Sequence, residues 1–286
     1  IDVDVAADNR LFIDPHAIRL RSGQPFVNAA LECLDTFTDR VTGCILPGTP
    51  ESVAEGKRLL SRFVEPWETR LGMSRRGFLG HGGAETVGTW IWDVLSDDVE
   101  ALVRVGVLKQ VEDLPLFVEG VDRDITSDLT TRIIYGALAL FTAQVLADFP
   151  EFSQGLHEVK TFAKHVWSAQ LGEWIEAEVR LPVVDGRELL LVPFGWARAN
   201  LLMSAGRFYE TSVLTFAQLA QAVVTSEGKV VKTSKERLKK QAGLERGRAT
   251  NLAVTMKAFE SGQNLLAAFK AFVAQRLPKN EPEQAA

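Results

Sequence analysis

Four carboxylates stand where a rigid backbone could aim them at a metal ion. Asp14 ends the apolar run Leu11-Phe12-Ile13 and precedes Pro15, so it sits at the close of a brief strand or extended anchor. It is a candidate ligand, or the acceptor of an Asx turn that fixes the bend, which is the commoner use of such a residue. Asp185 belongs to an Asp-Gly pair and Glu188 follows it, and a metal-dependent nuclease sets an Asp and a Glu-x-Lys on neighbouring strands to hold the ion and activate water. Here no lysine follows Glu188, and Arg180 occupies the matching position after Glu178. Asp128 completes the pool. The histidines add little: His157 and His165 are eight apart, too far for a helical i, i+4 zinc pair, and His81 has no partner at metal spacing. Cys33 and Cys44 form no CxxC pair, which disfavours a zinc site and a disulfide scaffold and suits a reducing cytoplasm. No metal site, cofactor or catalytic residue is assigned on this basis.

Two stretches could bind anions. Between Leu71 and Gly88, the residues Gly77, Gly80, Gly82 and Gly83 crowd together ahead of a helix from Ala84, with Arg75 and Arg76 nearby. Such a loop presents backbone N–H groups at a helix N-terminus, where a phosphate or carboxylate could sit. It follows no convincing strand and lacks the GK[ST] ending of a P-loop, and close packing against the central helix is the plainer use of its glycines. The second stretch carries Lys229, Lys232, Lys235, Arg237, Lys239, Lys240, Arg246 and Arg248. It could track a nucleic-acid backbone, or it could be a solvated linker or helix face.

The chain has 286 residues, of which 46% are hydrophobic, ample for a core of one domain or two lobes. Its net charge of −5 gives no global attraction to nucleic acid or to an anionic membrane, so any such binding is local. No charged-then-apolar segment opens the sequence, which begins at Ile1 without a methionine and so leaves a removed leader open.

The elements that must position these groups are mostly helices. The longest apolar register runs from Asp124 to Phe149, with Ile133, Ile134, Ala137, Leu138, Phe141, Val145 and Leu146 at helical spacing. This predicts a buried central helix opened by the oxygens of Thr126, Ser127 and Asp128 and stopped by Pro150. Ile133 to Ala147 is too short for a membrane span. Helices are also expected over Pro25–Thr42, from Thr49-Pro50 with a break at Pro66, over Ala84–Asp93 and Val99–Leu108, after Pro150 through Phe162, Val166 and Trp174, over Phe208–Val224, and over Ala249–Leu277. Asp185-Gly186 between extended runs predicts a small β-hairpin, about 177–192. The fold class is therefore mainly α: a helical bundle around the helix at 124–149 plus that hairpin. One globular domain over 1–277, or two lobes at 1–150 and 151–277, precedes a disordered tail at 278–286.

Three of these places, Leu11-Phe12-Ile13-Asp14-Pro15, the glycine loop from Gly72 to Gly83, and Asp124 to Ile134, together resemble a family of uncharacterised bacterial proteins associated with phage-defence loci. Leu181-Pro182, Leu190-Leu191-Val192-Pro193 and Phe208-Tyr209 are also similar to it. Phe194 stands where that family often has a lysine, and Arg132 where it has an asparagine. The resemblance implies no established chemistry. With the basic run, it leads to the expectation of a non-catalytic sensor or scaffold subunit of a bacterial defence system, cytoplasmic, binding nucleic acid or a partner protein, or self-associating, with no membrane. A metal-dependent nuclease of such a system is the alternative.

Overall fold

A computed structural model describes residues 9–72, 84–97, 103, 106–153 and 158–276. The glycine-loop candidates Arg75, Arg76, Gly80, Gly82 and Gly83, together with His81, His157, most of 99–108 and the tail at 278–286, lie outside the described residues.

The chain opens with β1 (Phe12–Ile13), α1 (Pro15–Arg19), α2 (Val27–Ile45) and α3 (Pro50–Leu60). Asp14 caps α1: its Oδ1 accepts from the amides of His16 at 2.9 Å and Ala17 at 3.1 Å. Thr49 caps α3 with Pro50 in its first turn, so a sequence signal at each start becomes a real boundary. The chain leaves α3 at Leu60, before Pro66, and resumes as a single tight turn at Trp67–Thr69. Then come α4 (Ala84–Asp97), α5 (Leu114–Phe117), α6 (Arg123–Ile133) and α7 (Tyr135–Asp148).

The expected continuous helix at 124–149 is instead the pair α6 and α7, bent by 69°. The break at Ile134 follows a run of β-branched residues. The hydroxyls of Thr130 and Thr131 donate back to the carbonyls of Thr126 at 2.6 Å and Ser127 at 2.7 Å, a bonding pattern that bends helices. The cap is also displaced from the expected cluster. Asp122 accepts from the amides of Asp124 and Ile125, whereas Ser127 Oγ accepts from Ile13 N–H and ties α6 to β1. Among the described residues, no single helix is long and apolar enough to cross a membrane.

The segment after Pro150 is extended where a helix was expected. β2 (Glu158–Ser168) pairs antiparallel with β3 (Glu173–Val184) over eleven residues, from Glu158 opposite Val183 to Ser168 opposite Glu173. Phe162 and Val166 share a helical spacing, but Trp167 lies opposite Trp174 with ring centroids 5.5 Å apart, and Phe37 from α2 meets both rings edge-on. A cross-strand aromatic pair under a helix rewards extended backbone. The Asp-Gly turn is present, with Asp185 and Gly186 both at positive φ, but the strand it opens, β4 (Arg187–Glu188), pairs through two residues only.

β5 (Ala197–Arg198) returns to pair with β1. The expected helix at 208–224 is α8 (Ala205–Phe208), one wide turn at Tyr209–Val213 and α9 (Leu214–Ala220). A two-stranded ribbon follows, β6 (Val223–Val224) with β7 (Val230–Val231), then α10 (Lys235–Leu238). The expected final helix is two, α11 (Arg248–Glu260) and α12 (Leu265–Arg276), broken at Gly262 with φ 78°. The buried core runs from Ile13 to Val273, and Phe117, Phe208 and Phe269 join α5, α8 and α12 in edge-on contacts.

Candidate functional site

The densest ionic cluster surrounds Glu68, a residue the spacing rules pass over. The turn after Pro66 delivers it to the end of α6, the start of α7 and the sheet. Its side chain is 1% exposed. Arg132 Nη2 lies 3.2 Å from Oε2 and also donates to the Glu65 carbonyl at 2.8 Å, while its Nε donates to the Val64 carbonyl at 2.6 Å. Lys164 of β2 lies 2.9 Å from Glu68 and 2.6 Å from Glu188. Tyr135 Oη donates to Glu68 at 3.4 Å, and the Glu68 carbonyl accepts from Leu190 N–H. Burial pushes the Glu68 carboxyl up, but Arg132 and Lys164 outweigh it and hold it below the usual range. Burial, with Glu68 beside it, pushes the Tyr135 hydroxyl up, so it remains a donor. Two carboxylates against two cations leave the cluster balanced. It fastens the hairpin to the helices and leaves neither carboxylate open to a metal.

A second ionic cluster, with Glu112 and Asp113 buried at its centre, joins the turn Val111–Asp113 before α5 to α1, α2 and α12. His16 Nδ1 lies 3.4 Å from Glu112, Arg19 bridges Glu112 and Asp35 at 2.6 Å each, and Lys270 reaches Asp113 at 2.6 Å. Burial would raise the Glu112 carboxyl, but His16, Arg19 and Lys270 hold it low, at about 2.

The four proposed ligands are not assembled into one site. Asp14 is fully buried, capping α1 and accepting from Leu202 N–H at 2.7 Å. Asp185 forms the turn after β3, and Glu188 is held by Lys164. Asp128 is not part of the helix cap: it lies within α6, half-buried near Glu65 and Asp124, and burial and those neighbours push it up to about 8. Among the described residues, no group of three or more His, Cys, Asp or Glu could hold a metal.

The Asp128 shift has a signed consequence. Its ordinary value of 3.8 lies below the folded one, so the folded chain binds the extra proton, and stability falls as pH rises from about 4 to about 8. Asp128→Asn should match the wild type near pH 4 and exceed it at pH 8 by about 2 kcal/mol in urea unfolding, the shift being discounted for solvent access. A difference independent of pH would show that Asp128 ionises normally.

The basic run divides in two. Lys235 Nζ donates to the Glu210 carbonyl, Lys239 pairs with Glu210 and Glu236 at 2.9 Å each, and Arg248 pairs with Glu119 at 3.1 Å while donating to the carbonyls of Pro115 and Val121. These three hold structure together. Lys229, Lys232, Arg237 and Lys240 are exposed, and none is in an ion pair among the described residues. Lys229 and Lys232 flank β7, whose valines are exposed together with those of β6. Leu238, fully buried, anchors α10, and Gln218 Nε2 donates to the Thr233 carbonyl at the base of the ribbon. The result is an exposed ribbon and a short helix with four solvent-facing cations outside any ion pair among the described residues.

Residues 1–204 match the domain of unknown function DUF8370, and the chain belongs to that family. The ribbon, α10, α11 and α12 lie beyond the matched stretch. No curated protein and no solved structure matches the chain.

Proposed function

We propose that this chain is a non-catalytic subunit of a bacterial defence system that holds nucleic acid by its phosphates through the β6–β7 ribbon and α10. The observation that carries the reading is the exposure of Lys229, Lys232, Arg237 and Lys240, none of them in an ion pair among the described residues, in a protein whose net charge is −5. Phosphate contacts need mobile, solvent-facing cations, and counterion release rewards each of them. The likeness to defence-associated proteins supplies the setting. The nuclease alternative draws no comparable support, because Asp14 and Glu188 are already engaged and no group of three or more His, Cys, Asp or Glu gathers among the described residues.

The test is fluorescence anisotropy with duplex DNA and single-stranded RNA across a salt series. Reversing all four cations to glutamate should weaken binding at least ~100-fold at low salt and flatten the log Kd against log salt slope by about 3. The unfolding midpoint should not move, since these side chains hold nothing. An unchanged slope sinks the proposal. A second reading, a protein partner along the ribbon edge, draws on the exposed Val223, Val224, Val230 and Val231, and a partner held that way would not be released by salt.

A further inference from the structure

A cleft of about 240 Å³ opens where the start of α11 meets α8, and its wall contains Arg246, Asn251, Gly206 and Tyr209. It is separate from the ribbon, whose four cations are not among its lining residues. Three of its features bear on what could fill it.

The first is charge. Arg246 makes no ion pair among the described residues, and its guanidinium lies so close over Gly206 that a Cβ there would be 2.3 Å from Nη2. The other arginine, Arg248, is matched by Glu119, which takes both its side-chain and its backbone N–H. The cleft therefore keeps one unneutralised cation. The second is backbone. Helix α11 is thirteen residues long and begins at Arg248 after Gly247, which has no side chain to cap it; Glu119 of the cleft wall accepts from the Arg248 N–H at 3.3 Å. The Asn251 amide donates to the Gly247 carbonyl, so the first-turn amides of Ala249 and Thr250 have no acceptor within the helix.

The third is Asn251 itself. Its side chain is 1% exposed, and its Nδ2 donates to the carbonyls of Leu116 at 2.9 Å and Ala205 at 3.3 Å. Those two bonds fix the amide orientation, because a flip would turn Oδ1 onto two carbonyl oxygens. Among the described residues Oδ1 then has no partner, although a buried amide oxygen normally finds a donor. A fully ionised anion has no hydrogen to donate to it; a hydroxyl or amino group has. Beyond the shared wall of Ala205, Gly206 and Arg248 lies a second cleft of about 390 Å³, which Arg123, Asn200 and Ser204 also line.

From this arrangement we propose that the cleft binds a phosphate ester carrying a neighbouring hydroxyl, as in a nucleoside 5′-phosphate. The phosphate is taken by Arg246 and the amides at the start of α11, a sugar hydroxyl donates to Asn251 Oδ1, and the remainder of the ligand extends into the adjoining cleft. A free mononucleotide and the 5′-phosphorylated end of a strand share this chemistry.

Isothermal titration decides the matter, run on the full chain carrying the four ribbon reversals so that ribbon binding does not hide the site. The probes are inorganic phosphate, ribose 5-phosphate, adenosine 5′-phosphate, and a trinucleotide with and without a 5′-phosphate. Ribose 5-phosphate and adenosine 5′-phosphate should bind at least ~10-fold tighter than inorganic phosphate, with Arg246→Ala costing another factor of ~10. Gly206→Ala should weaken binding comparably by displacing the guanidinium, while α8 gains a better helix former. Preference for the phosphorylated trinucleotide over the mononucleotide identifies a strand end as the source; the reverse identifies a free nucleotide, and both support the site. Equal affinity for inorganic phosphate and the sugar phosphates, no binding by any probe at millimolar concentration, or affinity unchanged in Arg246→Ala overturns it.

Discussion

Glu68→Ala should lower the free energy of unfolding by about 3–5 kcal/mol, the cost of leaving buried cations without their counter-charge. Arg132 and Lys164 are 12% and 18% exposed, and both converge on this one carboxylate. Arg132 keeps its two carbonyl acceptors and Lys164 keeps Glu188, which limits the loss. Glu68→Gln should recover part of it, since an amide oxygen still accepts from Tyr135 and Lys164 while the charge is gone. Urea unfolding of the two variants checks the ranking. If both lie within 0.5 kcal/mol of wild type, a magnitude typical of surface changes, the cluster is not the fastening between hairpin and helices.

Gly88→Ala is the other large effect. A Cβ at Gly88 would stand 2.2 Å from the Leu60 carbonyl oxygen, a backbone atom at the end of α3 that has no rotamer with which to retreat. Helices α3 and α4 must then separate, at a cost of roughly 2–3 kcal/mol even after the gain in helix propensity. Gly43→Ala, within α2 and with open space around it, is the matching control. It should be neutral or more stable by up to about 1 kcal/mol. Thermal melts of both variants separate packing from propensity, and a Gly88→Ala midpoint equal to that of Gly43→Ala would contradict the close contact.

The contrast between what local sequence reveals and what it hides follows the reach of each interaction. Thr49-Pro50 marks a helix start because the capping oxygen and the amide it serves are three residues apart. Asp14 was legible only as an Asx-turn acceptor beside Pro15; that its carboxylate caps a helix, α1, was not. Strand β2 was hidden because Phe162 and Val166 fit a helical period, and the Trp174 ring that decides in favour of extended backbone arrives only after a turn. The bend at Ile134 was hidden by apolar continuity, although the paired threonines before it were a readable warning. The Glu68 cluster was beyond any spacing rule, since Arg132 and Lys164 lie 64 and 96 residues away along the chain. In the basic run the cations themselves were legible. Which of them remain unmatched depends on Glu210 and Glu119, and no window around the run contains Glu119.

The seat on which the last helices rest has a consequence for where this protein can be divided. The short stretch from Leu114 to Val121 supplies the carbonyls of Pro115, Leu116 and Val121 to Arg248 and Asn251, and the ring of Phe117 to Phe208. A cut at residue 204, where the family match ends, would strip those carbonyls of their donors and bare an aromatic face. The edge of the recurrent unit and the edge of the cooperative one are therefore different places. Whatever α11 and α12 bring to the protein, they are part of the scaffold on which the matched region stands.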